Sequence, residues 1–181
     1  VFNGNGYDEA WVHEAEKRGL LNLKTTPDAM AHYMDEKNVK LFTEMRVYTE
    51  SEMKSHYEIK LEKYSKILNI EVNTMLEMIY KDILPASYKY MDAVSKSVID
   101  LKAVYPGAKA LSQIEVLSAL DEKAGELSNA AKELEALHQK ARSEEDCMKS
   151  ARLYVDEVIP AMNKARAIYD EMEPVIGEDF K

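Results

Sequence analysis

Few side chains in this 181-residue chain are suited to catalysis and also spaced to act together. Glu135 and His138 are three apart, which places both on one face of a helix, as in carboxylate and histidine metal bundles. Such a centre needs a second Glu-x-x-His and two more facing glutamates, and the sequence holds no second copy. His138 therefore reads as a polar residue on a helix seam, and the metal-binding bundle is kept as a rival that metal analysis decides. His13, His32 and His56 share no ligand spacing. Asn3-Gly4-Asn5-Gly6 could offer backbone N–H groups to an anion, but it lacks the lysine and the length of a phosphate loop and reads as a turn. Cys147 follows Glu145 and Asp146, whose charges disfavour a thiolate, so it reads as structural. No catalytic, cofactor-binding or metal-binding residue is assigned.

The elements that would position any such group are helices. Asp8 to Arg18 reads as a short helix stopped by Gly19, and Pro27 suits the first turn of another that runs to about Met34. A further short helix or turn covers about Asn38 to Met45. Thr49 with Glu52 three residues on has the spacing of a capping box, and no break follows until Pro85. A helix resumes to Val104, Tyr105-Pro106-Gly107 forces a reversal, and Ala108 to Arg142 carries a seam at Leu117, Leu120, Ala124, Leu127, Ala131, Leu134, His138 and Ala141. After a second reversal at Ser143 to Asp146 the last helix repeats that spacing from Met148 through Ala151, Val155 and Val158 to Met172. Pro85 and Pro160 predict kinks, because proline removes a helical hydrogen bond and crowds the preceding turn.

The expected fold class is all-α: a long antiparallel helical bundle, up-down-up with Pro-kinked helices, preceded by short N-terminal helices. Residues 1–48 would be short helices and loops, and 49–181 the long-helix bundle domain. The segment Glu50 to Asn73 would overhang the bundle. It is apolar on more than one side, where a surface helix shows one stripe. Trp11, Leu20, Leu21, Leu41 and Phe42 would cover part of it, leaving Tyr57, Leu61, Tyr64, Ile67, Asn69, Ile70, Glu71 and Asn73 as the candidate interface. The polar members of that set would fix register across it.

Composition narrows the function classes. The net charge of −9 argues against nucleic acid and anionic membrane as partners. No apolar run approaches the roughly 20 residues of a bilayer span, and the one cysteine fits a reducing compartment, so a soluble, cytoplasmic protein is expected. The 10 methionines and 11 tyrosines sit at helical spacing and read as core.

The stretch from Ser55-His56-Tyr57-Glu58-Ile59 through Asn69-Ile70-Glu71-Val72, Thr74-Met75 and Ile83-Leu84-Pro85-Ala86 resembles the helical region after the catalytic core of type III glutamine synthetase. The opening Val1-Phe2-Asn3-Gly4-Asn5-Gly6-Tyr7, with Trp11, Glu14-Ala15, Arg18-Gly19-Leu20 and Asn22, is similar to the segment just before it. Departures are His56 for the usual arginine, Val72 for alanine, and Ile79-Tyr80 for a small residue, all of which read as repacking. The resemblance is close over about the first 90 residues. From Met91 onward it rests on helical pattern and on Val158-Ile159-Pro160-Ala161.

The resemblance implies an enzyme that joins ammonia to glutamate at the expense of ATP, through γ-glutamyl phosphate, with a divalent metal such as Mg²⁺ and as a dodecamer of stacked hexamers. The family's metal-binding glutamates and substrate-binding arginines lie on strands that nothing here resembles. The chain is thus expected to be a fragment that holds no cofactor itself, supports structure or assembly, and contacts the catalytic domain and neighbouring subunits. The loop Asn3 to Gly6 is left open as a support beside the active site. The alternative is a stand-alone helical protein-interaction module.

Overall fold

The computed structural model describes residues 3–180, all of whose regular structure is helical. The Val1-Phe2 start of the resembling segment lies outside the described residues. Two compact units divide the chain, Val1–Tyr64 and Ser65–Lys181, with the division inside a helix.

Local side chains set the boundaries in the first unit. Asn5 Oδ1 accepts from the Tyr7 N–H at 3.1 Å, and Asp8 caps α1, Glu9–Lys17. Gly19 ends it at φ +72, a conformation in which a side chain would strain the backbone. Thr25 caps α2, Thr26–Ala31, which stops three residues short of the expected Met34. α3 covers Glu36–Glu44 and closes at Arg46, a non-glycine residue with φ 55. The capping box then forms as its spacing predicts: the Thr49 N–H donates to Glu52 Oε2 at 2.7 Å, and the Glu52 N–H to Thr49 Oγ1 at 3.2 Å. Leu20, Leu21 and Leu41 are more than half exposed, so they do not serve as the expected cover. Helices of six to nine residues present too narrow a face for that. Phe42 packs its ring 5.8 Å from Tyr48, which in turn lies 5.0 Å from His56.

α4, Glu50–Met78, runs without a break across the division. It is followed by a five-residue π turn, Ile79–Ile83, and by α5, Leu84–Val104. The reversal at Tyr105 leads through Ala110, in the left-handed region at φ 50, to α6, Leu111–Ser143. Asp146, and not Ser143, caps α7, Cys147–Leu153, by accepting from the Lys149 N–H at 2.9 Å. A second π turn, Tyr154–Val158, leads into α8, Ile159–Met172.

Each π turn ends two residues before a proline, Pro85 or Pro160. The ring of a helical proline crowds the carbonyl four residues back, and an α turn would leave that carbonyl without its donor. Widening the turn by one residue moves the carbonyl aside. At both positions where proline predicts a kink, the helix holds a π turn.

The second unit closes around α6. Its pairs with the last helices run in opposite directions along the chain: Lys140 Nζ lies 2.7 Å from Glu157, Lys164 Nζ 2.6 Å from Glu133, and Lys123 Nζ 2.7 Å from Glu171. Two carboxylates at Lys123, Glu171 first and Glu126 second, hold its ammonium charged far above the usual range. The seam predicted on α6 is buried from Leu120 through Ala124, Leu127, Ala131, Leu134 and His138 to Ala141, and only Leu117 at its start is not. After α8 the chain turns over α5, where Phe180 lies 5.3 Å from the Tyr90 ring.

Two substitutions test this account. Leu127→Ala, at a position with no exposed surface, is expected to cost about 3 kcal/mol in urea unfolding. Thr49→Ala, which opens the capping box, is expected to cost about 1 kcal/mol.

Candidate functional site

The candidate interface on α4 divides into two faces. Met53, Leu61, Leu68 and Val72 form one buried stripe at helical spacing, and Tyr57 and Tyr64, both half-buried, border it. Leu61 has no exposed surface and serves this packing. The other face turns outward: Ile67 is 46% and Ile70 63% exposed, and Glu71 and Asn73 are exposed as well. Asn69 is half-buried, and its Oδ1 accepts from Asn73 Nδ2 at 3.4 Å.

In the second unit the outward face borders a groove of about 620 Å³ between the end of α4 and α8. Ile79, Ile83 and Ala165 line it with apolar surface, and Glu71, Arg166 and Glu173 bring charge to it. The Arg166 guanidinium donates to Asp170 at 2.8 Å, and this bond raises its already high pKa. The groove suits an apolar segment. Its lining holds no cysteine, histidine or lysine, and its guanidinium is engaged by a carboxylate.

His138 and Tyr154 meet inside the bundle, a contact that the heptad spacing does not announce. His138 is 1% exposed, and its Nδ1 lies 3.3 Å from the Tyr154 hydroxyl. His138 Nε2 has no hydrogen-bond partner. Burial, followed by the positive charge of Arg142, pushes the His138 pKa down, and burial raises that of Tyr154. The heptad spacing puts Val155 on the seam. The π turn that begins at Tyr154 buries Tyr154 instead and leaves Val155 half-exposed. Pro160 is the available signal, since its clash with the turn before it requires that rearrangement.

Glu135 and His138 do not act together. Glu135 is exposed and its charge acts on Tyr80, whose pKa is raised first by burial and second by that charge. Among the described residues no three His, Cys, Asp or Glu side chains come together to hold a metal ion. Asn3 to Gly6 is an exposed turn, and Cys147 is half-buried at the start of α7. Among the described residues no helix is long and apolar enough to cross a membrane.

An all-helical domain with an exposed apolar face is the class that these features define. The family model of the glutamine synthetase C-terminal domain matches residues 1–102, and the chain belongs to that family. It is 37% identical over 180 residues to a glutamine synthetase of Butyrivibrio fibrisolvens, covering 99% of this chain and 26% of that protein. It is 32% identical to the type-3 glutamine synthetase of Dictyostelium discoideum, over 98% of this chain and 25% of that one. A glutamine synthetase of Bacteroides fragilis is 23% identical over 99% of the chain. The chain spans about a quarter of the length of these relatives. The alignments with these relatives run on past residue 90 and cover α6 to α8.

The buried histidine fixes a pH dependence. An unfolded chain takes up a proton at His138 as the pH falls through about 6.5, while the folded chain, with its lowered pKa, does not. Stability contributed here is thus full above that pH and falls below it. Urea unfolding at pH 8 and pH 5.5 should show the loss, and His138→Leu should reduce the difference between the two.

Proposed function

We propose that this chain is the C-terminal helical portion of a type III glutamine synthetase, a cytoplasmic enzyme that ligates ammonia to glutamate through γ-glutamyl phosphate. In this reading the ATP and the divalent metal belong to other parts of that enzyme. The helices contribute structure and contacts, through the outward face of α4, to the catalytic domain of the same chain and to neighbouring subunits of a homo-oligomer. The dodecamer is carried over from the family resemblance.

One observation carries the reading. Relatives named glutamine synthetase align with all but a few residues of the chain, yet are about four times as long. The physical features agree with it. Phosphoryl transfer needs a carboxylate cluster for metal and cationic groups to clamp the transferring phosphoryl. Here the acids are spread along helix faces, and Arg166, Lys123 and Lys164 are each engaged by carboxylates of their own bundle. Ile67 and Ile70 are large apolar side chains left in water beside an apolar groove, which suits a face that another surface covers.

Isothermal titration of the chain with ATP and Mg²⁺ is expected to give no specific heat, and incubation with glutamate, ammonia and ATP no glutamine. Saturable micromolar ATP binding would overturn the assignment. A chimera in which this chain replaces the aligned quarter of the Butyrivibrio enzyme is expected to retain activity. Ile70→Lys in that chimera should lower activity together with oligomer mass. Unchanged mass and activity in the Ile70→Lys chimera would remove the docking role from α4.

A further inference from the structure

The exposed turn before α1 holds two groups that can react with each other, and neither serves the packing of the helices. Asn5 is followed by Gly6, both stand in water, and Asn5 Oδ1 accepts from the Tyr7 N–H at 3.1 Å. That bond folds the carboxamide back over the peptide group that joins residues 5 and 6. The Gly6 nitrogen is thereby kept beside Asn5 Cγ, and a bond between the two closes a five-membered ring. Among the described residues the Gly6 N–H makes no hydrogen bond, so none has to break first.

The same bond activates the carbonyl. Negative charge develops on Oδ1 as a nucleophile adds to Cγ, and an N–H already aimed at that oxygen stabilises the charge where it forms. Glycine at position 6 leaves the approach open, because it has no Cβ to crowd the attacking nitrogen.

The chain has eight asparagines, and their surroundings separate Asn5 from the others. Asn38, Asn69, Asn73, Asn129 and Asn163 lie in helices, where the next N–H is committed to the helical ladder. Asn22 precedes Leu23, whose side chain hinders the approach. Asn3 precedes a glycine as well, but among the described residues no N–H reaches its carboxamide as the Tyr7 N–H reaches that of Asn5.

We propose that Asn5 is a site of spontaneous covalent modification, at which the Gly6 nitrogen attacks the Asn5 carboxamide and converts the residue to an aspartyl or isoaspartyl form. The Gly6 nitrogen gives its proton to hydroxide and bonds to Cγ. The carboxamide C–N bond then breaks, and ammonia leaves with a proton taken from water. One water molecule opens the cyclic imide at either of its two carbonyls. The net change exchanges –NH2 for –OH at the cost of one water, and nothing is oxidised or reduced.

The product differs from the parent in charge and in backbone. One negative charge is added to a chain whose net charge is −9. Opening at the main-chain carbonyl also turns the Asn5 oxygen that accepts from the Asp8 N–H at 3.2 Å into part of a free carboxylate, and routes the chain through the side chain. Asp8 in turn holds the Ala10 N–H at the start of α1, so the isoaspartyl form loosens that helix start. The reaction uses no residue of α4 to α8, so it stands or falls apart from the reading as a glutamine synthetase domain.

Incubation of the full chain at mildly alkaline pH in heavy-oxygen water, followed by peptide mapping in a mass spectrometer, tests it. Asn5 is expected to take up water oxygen before any other asparagine, and faster as the pH rises. Gly6 lies outside the left-handed region and a Cβ there would meet nothing within 4 Å, so Gly6→Ala should keep the fold while slowing conversion by about an order of magnitude. Tyr7→Pro removes only the N–H donor of a fully exposed residue and should slow conversion by about fivefold, the worth of one ordinary hydrogen bond. An Asn5 that stays intact, or that converts no faster than Asn22, overturns the proposal. So does an unchanged rate in Gly6→Ala, and an unchanged rate in Tyr7→Pro overturns the part given to the turn.

Discussion

The buried seam of α6 is the constraint on which the rest of the second unit depends. Ala124, Ala130, Ala131 and Ala141 alternate with Leu120, Leu127 and Leu134, so small side chains let neighbouring helices approach while leucines fill the space between them. Both neighbours of α6 carry a proline, and each answers it with a π turn. Had either helix continued as a regular α-helix into its proline, one carbonyl would have lost its donor beside a close-packed face. The widened turns preserve the packing. They also shift which residue of each helix points inward.

That shift produces a buried polar pair with unspent hydrogen-bonding capacity. The first residue of the second π turn, Tyr154, is brought against His138, and the imidazole retains Nε2 without a partner. The pair occupies a seam position that a leucine would fill with less cost, since burial penalises both the imidazolium and the unpaired nitrogen. It makes the bundle sensitive to acid at a defined point. Ser150, also buried, shows the contrasting solution, donating to the Ala141 carbonyl at 2.9 Å.

Two apolar surfaces remain after this core is complete, on the outward face of α4 and along the α5–α6 hairpin. Neither gathers side chains that could together move a proton or clamp a phosphate. This domain of the glutamine synthetase C-terminal family engages many of its ionic groups in pairs and leaves isoleucines exposed. The short N-terminal helices do not alter this, because their own leucines are exposed.

The sequence by itself determined the elements and much of the core. Gly19, the Thr49–Glu52 spacing, Tyr105 to Gly107 and the alternating three and four spacing of α6 are local signals, and each acts through its own few residues. That α4 is helical and apolar on more than one side was legible, but the division between its buried stripe and the exposed Ile67 and Ile70 was not, since an isoleucine reads as core wherever it stands. Tertiary structure alone decided that question, because burial depends on which face a neighbour covers. It also decided the partnership of His138 with Tyr154. A proline announces a disturbed turn, but the residue carried inward depends on how the helix rewinds against α6, and that is a property of the packed bundle.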